Sequence, residues 1–429
     1  MFHRQTRTGG RRVTLMGLLV ALMVLAISQA PSLGQTPPAA TQKGIRQLSF
    51  LHNTFVKLTK EKRLKIVIIG NSVSHGIVAE GKPTISYYPY LLEWFKKQFP
   101  DAQIDLKTSI IFAIGPEVQL FRMEDKLFAE KPDLVVVEFG AANGAWGDAG
   151  REITERATEG YIRRLRFIMP QADCLMNMGL VKPMLDEYAK GKTPNSVLFQ
   201  YAVAGHYQCA LADSQKALAQ KFTQGEPYDA YMRDSIHPSA KGYQVHGQVI
   251  VAELEKQYQL FKATPQANLI PTAHALPTDT IHPDPWLFPR LVPAFYADDL
   301  QGFTVAEHGP IKFLTANQPG ASGSFTAPRG RIVGVLMRSP EHQGSVEVRL
   351  DGKGEWTRLS LQNEPRFTDG DDPHNFLHRS FFAGQSLPLY CQRVDFRVSD
   401  SPETKDMYTV QVIGFFVIER DAQLPFSRP

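Results

Sequence analysis

The chain has 429 residues, of which 43% are hydrophobic and 21% are charged, and its net charge is +4. This length is typical of two or three domains, and the composition is that of a globular protein. A charge this small, with no basic cluster after the N-terminal segment, argues against a nucleic-acid partner. Because the chain contains no HExxH or CxxC motif, we expect no metal site and no cofactor.

The N-terminus has the pattern of a signal peptide over residues 1–30. Four arginines precede an apolar run from Leu15 to Ile27, and Ser28-Gln29-Ala30 offers small residues where a signal peptidase cleaves. The run is shorter than the roughly 20 apolar residues of a membrane span. An uncleaved anchor is the alternative interpretation. We expect a secreted or periplasmic protein without stable membrane insertion, in which residues 31–44 form a linker.

Residues 45–262 alternate between predicted strands and predicted helices. The segment KIVIIG is a continuous apolar run, as in parallel strands that are covered on both faces. The segment YYPYLLEWFKKQFP has apolar residues at helical spacing and ends at a proline. Repeated alternation of this kind predicts a parallel sheet with helices on both faces. In the last predicted helix, we expect His246 on the solvent face.

The pattern changes after residue 262. Residues 263–290 are proline-rich and predict a linker that lies over the surface. Residues 291–429 contain short β-type runs separated by turn residues, among them Asp351-Gly352, and this predicts an antiparallel, jelly-roll-like β-sandwich. We expect the sandwich to be an accessory domain that supplies no catalytic group.

The three cysteines leave their redox state open. Export permits disulfides, and Cys174 and Cys209 fall in the same predicted domain. With Cys391 the number is odd, and the spacing has no framework signature. Three buried free thiols are therefore the favoured alternative.

Two short motifs carry the predicted chemistry. Ser72 follows the first apolar strand, where a strand-to-helix turn points a hydroxyl out of the top of an open α/β sheet. His237 lies three residues after Asp234, directly before a predicted helix. A histidine in this position can take the serine proton while the aspartate holds its ring. Taken singly, each residue is more often a helix cap, a turn former or a surface residue.

In the order and context of these motifs, the chain resembles the SGNH/GDSL hydrolase superfamily over roughly residues 64–258. The resemblance implies a flavodoxin-like, three-layer α/β/α fold, with Ser72 as nucleophile, His237 as base and Asp234 as its partner. It also implies an oxyanion hole formed by the amides of Ser72 and Gly115 and the side chain of Asn143. Two departures stand out. Asn71 replaces the family's aspartate, and a gapless match places Ala142 at the family's asparagine, so that only a one-residue shift gives Asn143 that role.

The resulting expectation is an exported serine esterase that hydrolyses small acyl esters, acetyl foremost, on a small-molecule or polysaccharide substrate. Trp146, in a Gly/Ala-rich loop just after Asn143, is a candidate for the substrate rim. One alternative is an O-acetyltransferase that uses the same acyl-enzyme. Another is a glycan-binding or structural protein whose catalytic site has decayed. The sequence leaves the oligomeric state open.

Overall fold

The computed structural model describes residues 49–78, 83–112, 115–139, 147–265, 269–309, 311–338, 344–359, 367–368, 376–385, 387–400 and 408–419. The predicted signal peptide and the linker after it lie outside these residues.

A parallel sheet forms the centre of the first half of the chain, as the apolar runs predicted. Its order is β2-β1-β3-β4-β5, and every neighbouring pair is parallel. This is the order of flavodoxin-like folds, in which ligands bind beyond the carboxyl ends of the strands. The five strands are β1 (Arg63–Gly70), β2 (Gln103–Ile110), β3 (Leu134–Glu138), β4 (Asp173–Asn177) and β5 (Ala210–Ala212).

Helices cover both faces of this sheet and complete the three layers. The helices are α1 (His52–Lys60), α2 (Ser72–His75), α3 (Tyr88–Gln98), α4 (Pro116–Phe121), α5 (Met123–Lys126), α6 (Gly147–Ile168), α7 (Leu185–Ala189), α8 (Asn195–His206), α9 (Ser214–Thr223), α10 (Tyr228–Tyr231) and α11 (Ala240–Lys262). Alternate side chains of β1 and β3 point to opposite faces. Ile66 and Ile68 lie in one hydrophobic cluster with α1, α3 and α11, whereas Val67 and Ile69 lie in another with α4 and α6.

The second half of the chain is an antiparallel β-sandwich, as predicted. Its strands are β6 (Pro289–Pro293), β7 (Asp298–Gln301), β8 (Thr304–His308), β9 (Ile311–Ala316), β10 (Ser322–Thr326), β11 (Gly330–Arg338), β12 (Val346–Leu350), β13 (Lys353–Leu359), β14 (Phe367–Thr368), β15 (Phe376–Phe381), β16 (Arg393–Val398) and β17 (Val410–Glu419). One sheet has the order β13-β12-β16-β10-β7. The other has the order β14-β15-β11-β17-β9-β8, with β6 also paired to β17. The inner faces of the two sheets share a hydrophobic core that includes Val348, Phe396 and Phe415.

The predicted turn at Asp351-Gly352 connects β12 to β13. Both residues have positive φ angles, 52° and 64°. Two such residues between paired strands are the signature of the turn that matches the twist of a β-hairpin.

The hydrophobic core is continuous between the parallel sheet and the sandwich. Phe121 at the end of α4 packs against Phe416 of β17, with ring centroids 4.7 Å apart, and against Trp286 at 6.0 Å. Trp286 is fully buried. A Cβ atom on Gly160 of α6 would lie 2.2 Å from the Trp286 carbonyl oxygen, so this close approach requires a glycine. We call this contact region the seam. All the described residues belong to one compact unit.

The proline-rich segment before the sandwich is fixed to the α/β layers. We call residues 269–286 the strap. The buried carboxylate of Glu159 accepts the backbone N–H groups of Ile281 and His282 at 2.7 and 2.6 Å. The buried carboxylate of Asp173 contacts the His274 ring at 2.7 Å. The strap thus supplies hydrogen-bond donors to two buried carboxylates, and these contacts fix its path.

The three cysteines are buried free thiols, namely Cys174, Cys209 and Cys391. Cys174 and Cys209 are neighbours at the start of β4 and just before β5.

Candidate active site

The nucleophile turn lies at the carboxyl end of β1. Asn71 caps the one-turn helix α2, and its side-chain oxygen accepts the Val73 N–H at 2.9 Å. Since asparagine and aspartate are equivalent in capping, replacement of the family's aspartate preserves this contact. A Cβ atom on Gly70 would lie 2.0 Å from Ser74 Oγ, so glycine is needed where the strand meets the turn. Ser72 is the first residue of α2.

The second motif, residues 234–237, forms a hydrogen-bonded turn before α11. One carboxylate oxygen of Asp234, Oδ1, accepts the backbone N–H groups of Ile236 and His237, both at 2.8 Å. The ring nitrogen Nδ1 of His237 lies 2.8 Å from Asp234 Oδ2 and 3.0 Å from Oδ1. The Asp-x-x-His spacing thus lets one carboxylate hold both the backbone and the ring of the histidine.

The fold brings these two motifs into contact. His237 Nε2 lies 2.8 Å from Ser72 Oγ, although 165 positions separate the residues. The side chain of His237 is 26% exposed and that of Asp234 is 53% exposed, so the site is open to solvent. Burial opposes ionisation of Asp234, but hydrogen bonds from the amides of His237 and Ile236 and from the His237 ring outweigh it and lower the pKa of the carboxyl.

Tyrosine hydroxyls brace both motifs, and sequence reasoning did not find them. The Tyr243 hydroxyl, on α11, donates to the Val73 carbonyl at 2.9 Å. The Tyr228 hydroxyl donates to the Asp234 carbonyl at 2.9 Å. Tyr243 therefore ties the helix that begins after His237 to the residue that follows Ser72.

A buried contact also holds the nucleophile turn from below. Ser74 Oγ lies 2.7 Å from the Tyr87 hydroxyl, and both side chains are fully buried. Ser86 Oγ donates to the Ser74 carbonyl at 2.9 Å. No local sequence pattern signals these contacts, because each joins residues that are distant in the chain or of ordinary type.

The predicted oxyanion donors are placed only in part. Gly115 precedes α4 at the carboxyl side of β2, next to the end of β1, and its N–H donates to Glu117 Oε1 at 3.0 Å. In this arrangement the buried Glu117 carboxylate accepts the Gly115 N–H, which is the group that the resemblance implies as an oxyanion donor. Asn143, Ala142 and the rim candidate Trp146 lie outside the described residues.

The prediction for His246 was wrong. This residue is fully buried, and burial lowers the pKa of its ring to about 4. The helix α11 packs on the sheet on one side and on α3 on another, where Tyr90 lies within 2.3 Å of the position of a Gly247 Cβ. The buried residues of α11 recur at helical spacing and include Gly242, Tyr243, His246 and Ile250, so His246 lies on the packed face of the helix and not on its solvent face.

The described part of the chain holds neither a metal-binding cluster nor a membrane-spanning helix. No group of three or more histidine, cysteine, aspartate or glutamate residues there has the geometry to hold a metal ion. No helix in the same residues is long and apolar enough to cross a membrane.

Comparison with known families identifies the class of protein. Residues 68–245 match the GDSL-like lipase/acylhydrolase family, a range that includes both motifs. The chain therefore contains a domain of this ester-hydrolase family, with a further all-β region after the matched domain. No curated protein matches the chain.

A solved structure of a two-domain esterase shares the architecture. The chain is similar to a two-domain esterase (CEX) active on acetylated mannans, co-crystallised with mannopentaose, with a TM-score of 0.63 and 18% identity; the match covers 88% of this chain and 98% of that one. An acetylxylan esterase from Geobacillus stearothermophilus matches 44% of this chain and 94% of its own, with a TM-score of 0.37 and 15% identity. At this identity, the first likeness shows the shared two-part fold.

Proposed function

We propose that the protein is an exported serine esterase that removes small acyl groups, acetyl foremost, from carbohydrate. The observation that carries the proposal is the 2.8 Å contact between Ser72 Oγ and His237 Nε2, with Asp234 on the other ring nitrogen. A serine, a base and an orienting carboxylate in this arrangement form an activated nucleophile.

In the proposed reaction, His237 Nε2 takes the Ser72 proton as Oγ attacks the ester carbonyl. The new Oγ–C bond gives a tetrahedral intermediate, and His237 then donates the proton to the leaving sugar hydroxyl as the C–O bond breaks. Water, deprotonated by His237, attacks the acyl-enzyme; His237 then returns that proton to Ser72 Oγ as the acyl C–Oγ bond breaks and the acid leaves. Asp234 stays ionised throughout and holds the ring in the tautomer with a proton on Nδ1.

The negative charge of the intermediate needs hydrogen-bond donors. We assign this role to the amides of Ser72 and Gly115 and to the side chain of Asn143. For Gly115, the assignment requires its N–H to exchange Glu117 Oε1 for the substrate oxygen, since that carboxylate accepts the amide in the described structure. Removing one such donor typically lowers kcat by roughly 100- to 1000-fold.

The carbohydrate substrate is argued from the site and from similarity. The exposed histidine and aspartate leave room for a bulky alcohol, and a similar two-domain structure belongs to an esterase active on acetylated mannans. We also propose that residues 1–30 are a signal peptide, residues 31–44 a linker, residues 45–262 the hydrolase domain, residues 263–290 a second linker and residues 291–429 the sandwich.

The proposal is tested by measuring acetate release from acetylated mannan and acetylated xylan, together with hydrolysis of p-nitrophenyl acetate, butyrate and octanoate. We expect acetate release from a polysaccharide, a preference for the acetyl ester and loss of both activities in Ser72→Ala. A preference for octanoate, or undiminished hydrolysis by the variant, would contradict the assignment. N-terminal sequencing of the exported form tests the signal peptide.

A further inference from the structure

A cavity of about 460 Å³ opens along the free edge of the parallel sheet. Strand β2 is the first strand of that sheet and pairs with β1 on one side only. The cavity lies over β2, where Val67 of β1 also lines it, and it extends from His75 and Phe112 to Lys107 and Glu130. Its volume is in the range of ligand-binding clefts.

The cavity begins next to the nucleophile. The Ile111 N–H donates to the Gly70 carbonyl at 3.1 Å, so the end of β2 lies beside the end of β1, two residues before Ser72. His75 belongs to the same helical turn as Ser72, and its ring packs edge-on against Phe112 with centroids 4.7 Å apart. A molecule attached to an ester at Ser72 can therefore continue into the cavity without crossing the sheet.

The lining is polar and electrically balanced. Two basic and two acidic residues line it, namely Lys107, Lys126, Asp125 and Glu130, and Lys107 Nζ lies 2.8 Å from Glu130 Oε2. Lys65 also pairs with Glu130, at 2.8 Å. Ionic groups that are already paired with one another favour neither an anionic nor a cationic ligand. They do offer hydrogen bonds to neutral hydroxyl groups.

We infer that this cavity binds the sugar units next to the esterified one in a neutral polysaccharide. The inference rests on the proposed function and extends it by naming the substrate class and a binding site. From Lys107 to Phe112 the strand spans about 16 Å, which exceeds one sugar ring. Phe112 and His75 offer apolar ring surface at the catalytic end, and the paired charges offer hydrogen bonds at the far end.

A matched pair of tryptophan substitutions on one strand face tests the inference. Residues 105, 107 and 109 share a face of β2, because side chains alternate along a strand. Ser109 lines the cavity, whereas Asp105 is exposed beyond it. Ser109→Trp should fill the cavity, and Asp105→Trp is the control. Lys107→Ala, at an exposed position, serves if Ser109→Trp does not fold.

We expect Ser109→Trp to raise KM for O-acetylated mannopentaose by about tenfold or more, with kcat and the hydrolysis of p-nitrophenyl acetate unchanged. Asp105→Trp should leave all of these values unchanged. Equal effects on the large and small substrates, or no difference between the two variants, would overturn the inference.

Binding to the Ser72→Ala protein separates the cavity from the chemistry. Calorimetry with unmodified mannopentaose, xylopentaose and oligogalacturonate requires no hydrolysis. We expect a neutral pentasaccharide to bind, and the added Ser109→Trp change to weaken it. Failure of all three to bind, or preference for oligogalacturonate, overturns the cavity assignment even if the esterase is active. If a neutral pentasaccharide binds but the protein hydrolyses no ester, only the proposed function is overturned.

Discussion

The two faces of the parallel sheet are covered in different ways. On one face, Ile66 and Ile68 pack under α1, α3 and α11, which belong to the same half of the chain. On the other face, Val67 and Ile69 share a cluster that continues through α4 and α6 into strands of the sandwich. The first face is thus closed by helices from the same half of the chain. The second depends on residues such as Phe416, almost 300 positions after Phe121.

The active site and the seam differ in the kind of contact that holds them together. Ser72 and His237 are half-buried residues of chain turns and are held by a small number of hydrogen bonds. The seam is a buried aromatic contact with no polar chemistry at its centre. Changes at the site should therefore alter rate without altering stability, and changes at the seam should do the reverse.

The largest effect is expected at the nucleophile. Ser72→Ala should lower kcat by about 10⁴-fold or more, and adding His237→Ala should lower it little further, because the two residues act as one unit. The melting temperature should stay within a few degrees of the unchanged protein. Kinetics with p-nitrophenyl acetate, and labelling by a fluorophosphonate, provide the measurement. The control is Ser235→Ala, which changes an exposed serine in the loop beside His237. Equal losses of kcat in both variants would show that Ser72 is not the nucleophile.

The next largest effect is expected at the seam. Trp286→Ala should lower the free energy of unfolding by about 3–5 kcal/mol, because a large side chain is removed from a packed core. Activity per folded molecule on p-nitrophenyl acetate should not change. Denaturant unfolding measures the loss, with Tyr296→Ala as the control, since that side chain is 64% exposed. A loss below about 1 kcal/mol would show that the sandwich is only loosely attached to the α/β layers.

A smaller effect is expected where site and scaffold meet. Tyr243→Phe removes the hydroxyl that holds the Val73 carbonyl, so kcat should fall about 3- to 10-fold through misplacement of Ser72, with KM almost unchanged. Tyr231→Phe is the matched control, because its hydroxyl bonds to Glu226 instead. If the two variants lose the same activity, the Tyr243 contact has no special effect on the nucleophile.

The smallest effect concerns the pH dependence of the ionic contacts beside the seam. Asp284 of the strap contacts Arg156 of α6 at 2.7 Å and Arg331 of β11 at 2.8 Å. Burial opposes ionisation, but hydrogen bonds from Arg331 and Tyr390 outweigh it and lower the pKa of Asp284 from 3.8 to about 2. Because the pKa is lowered by folding, the stabilisation is complete above the ordinary value and is lost as pH falls toward 2.

The corresponding measurement compares Asp284→Asn with the unchanged protein between pH 6 and pH 2. Since Asp284 is more than one third exposed, we expect the difference in unfolding free energy to be about 1 kcal/mol at neutral pH and to shrink below pH 4. Asp279→Asn, at a side chain 79% exposed, is the control and should show no such change. A difference that grows at low pH would have the wrong sign for this mechanism.

The fold class was predictable because its signals are local. Continuous apolar runs identified the parallel strands, and short runs with turn residues identified the sandwich. The two-residue turn at Asp351-Gly352 was found by the same reasoning. The prediction for His246 failed because its polar type was given more weight than its position, which shares the apolar stripe of α11 with Tyr243 and Ile250.

The sequence by itself determined which groups can react: a serine after a strand, and an aspartate and histidine at a spacing that a single turn can close. These depend on backbone geometry over a few residues. Only the tertiary structure decided the 2.8 Å contact between Ser72 and His237 and the hydrogen bond from Tyr243 to Val73. It also decided the seam of Phe121, Trp286 and Phe416. These contacts join distant residues of ordinary type, and packing, which has no local pattern, selects their partners.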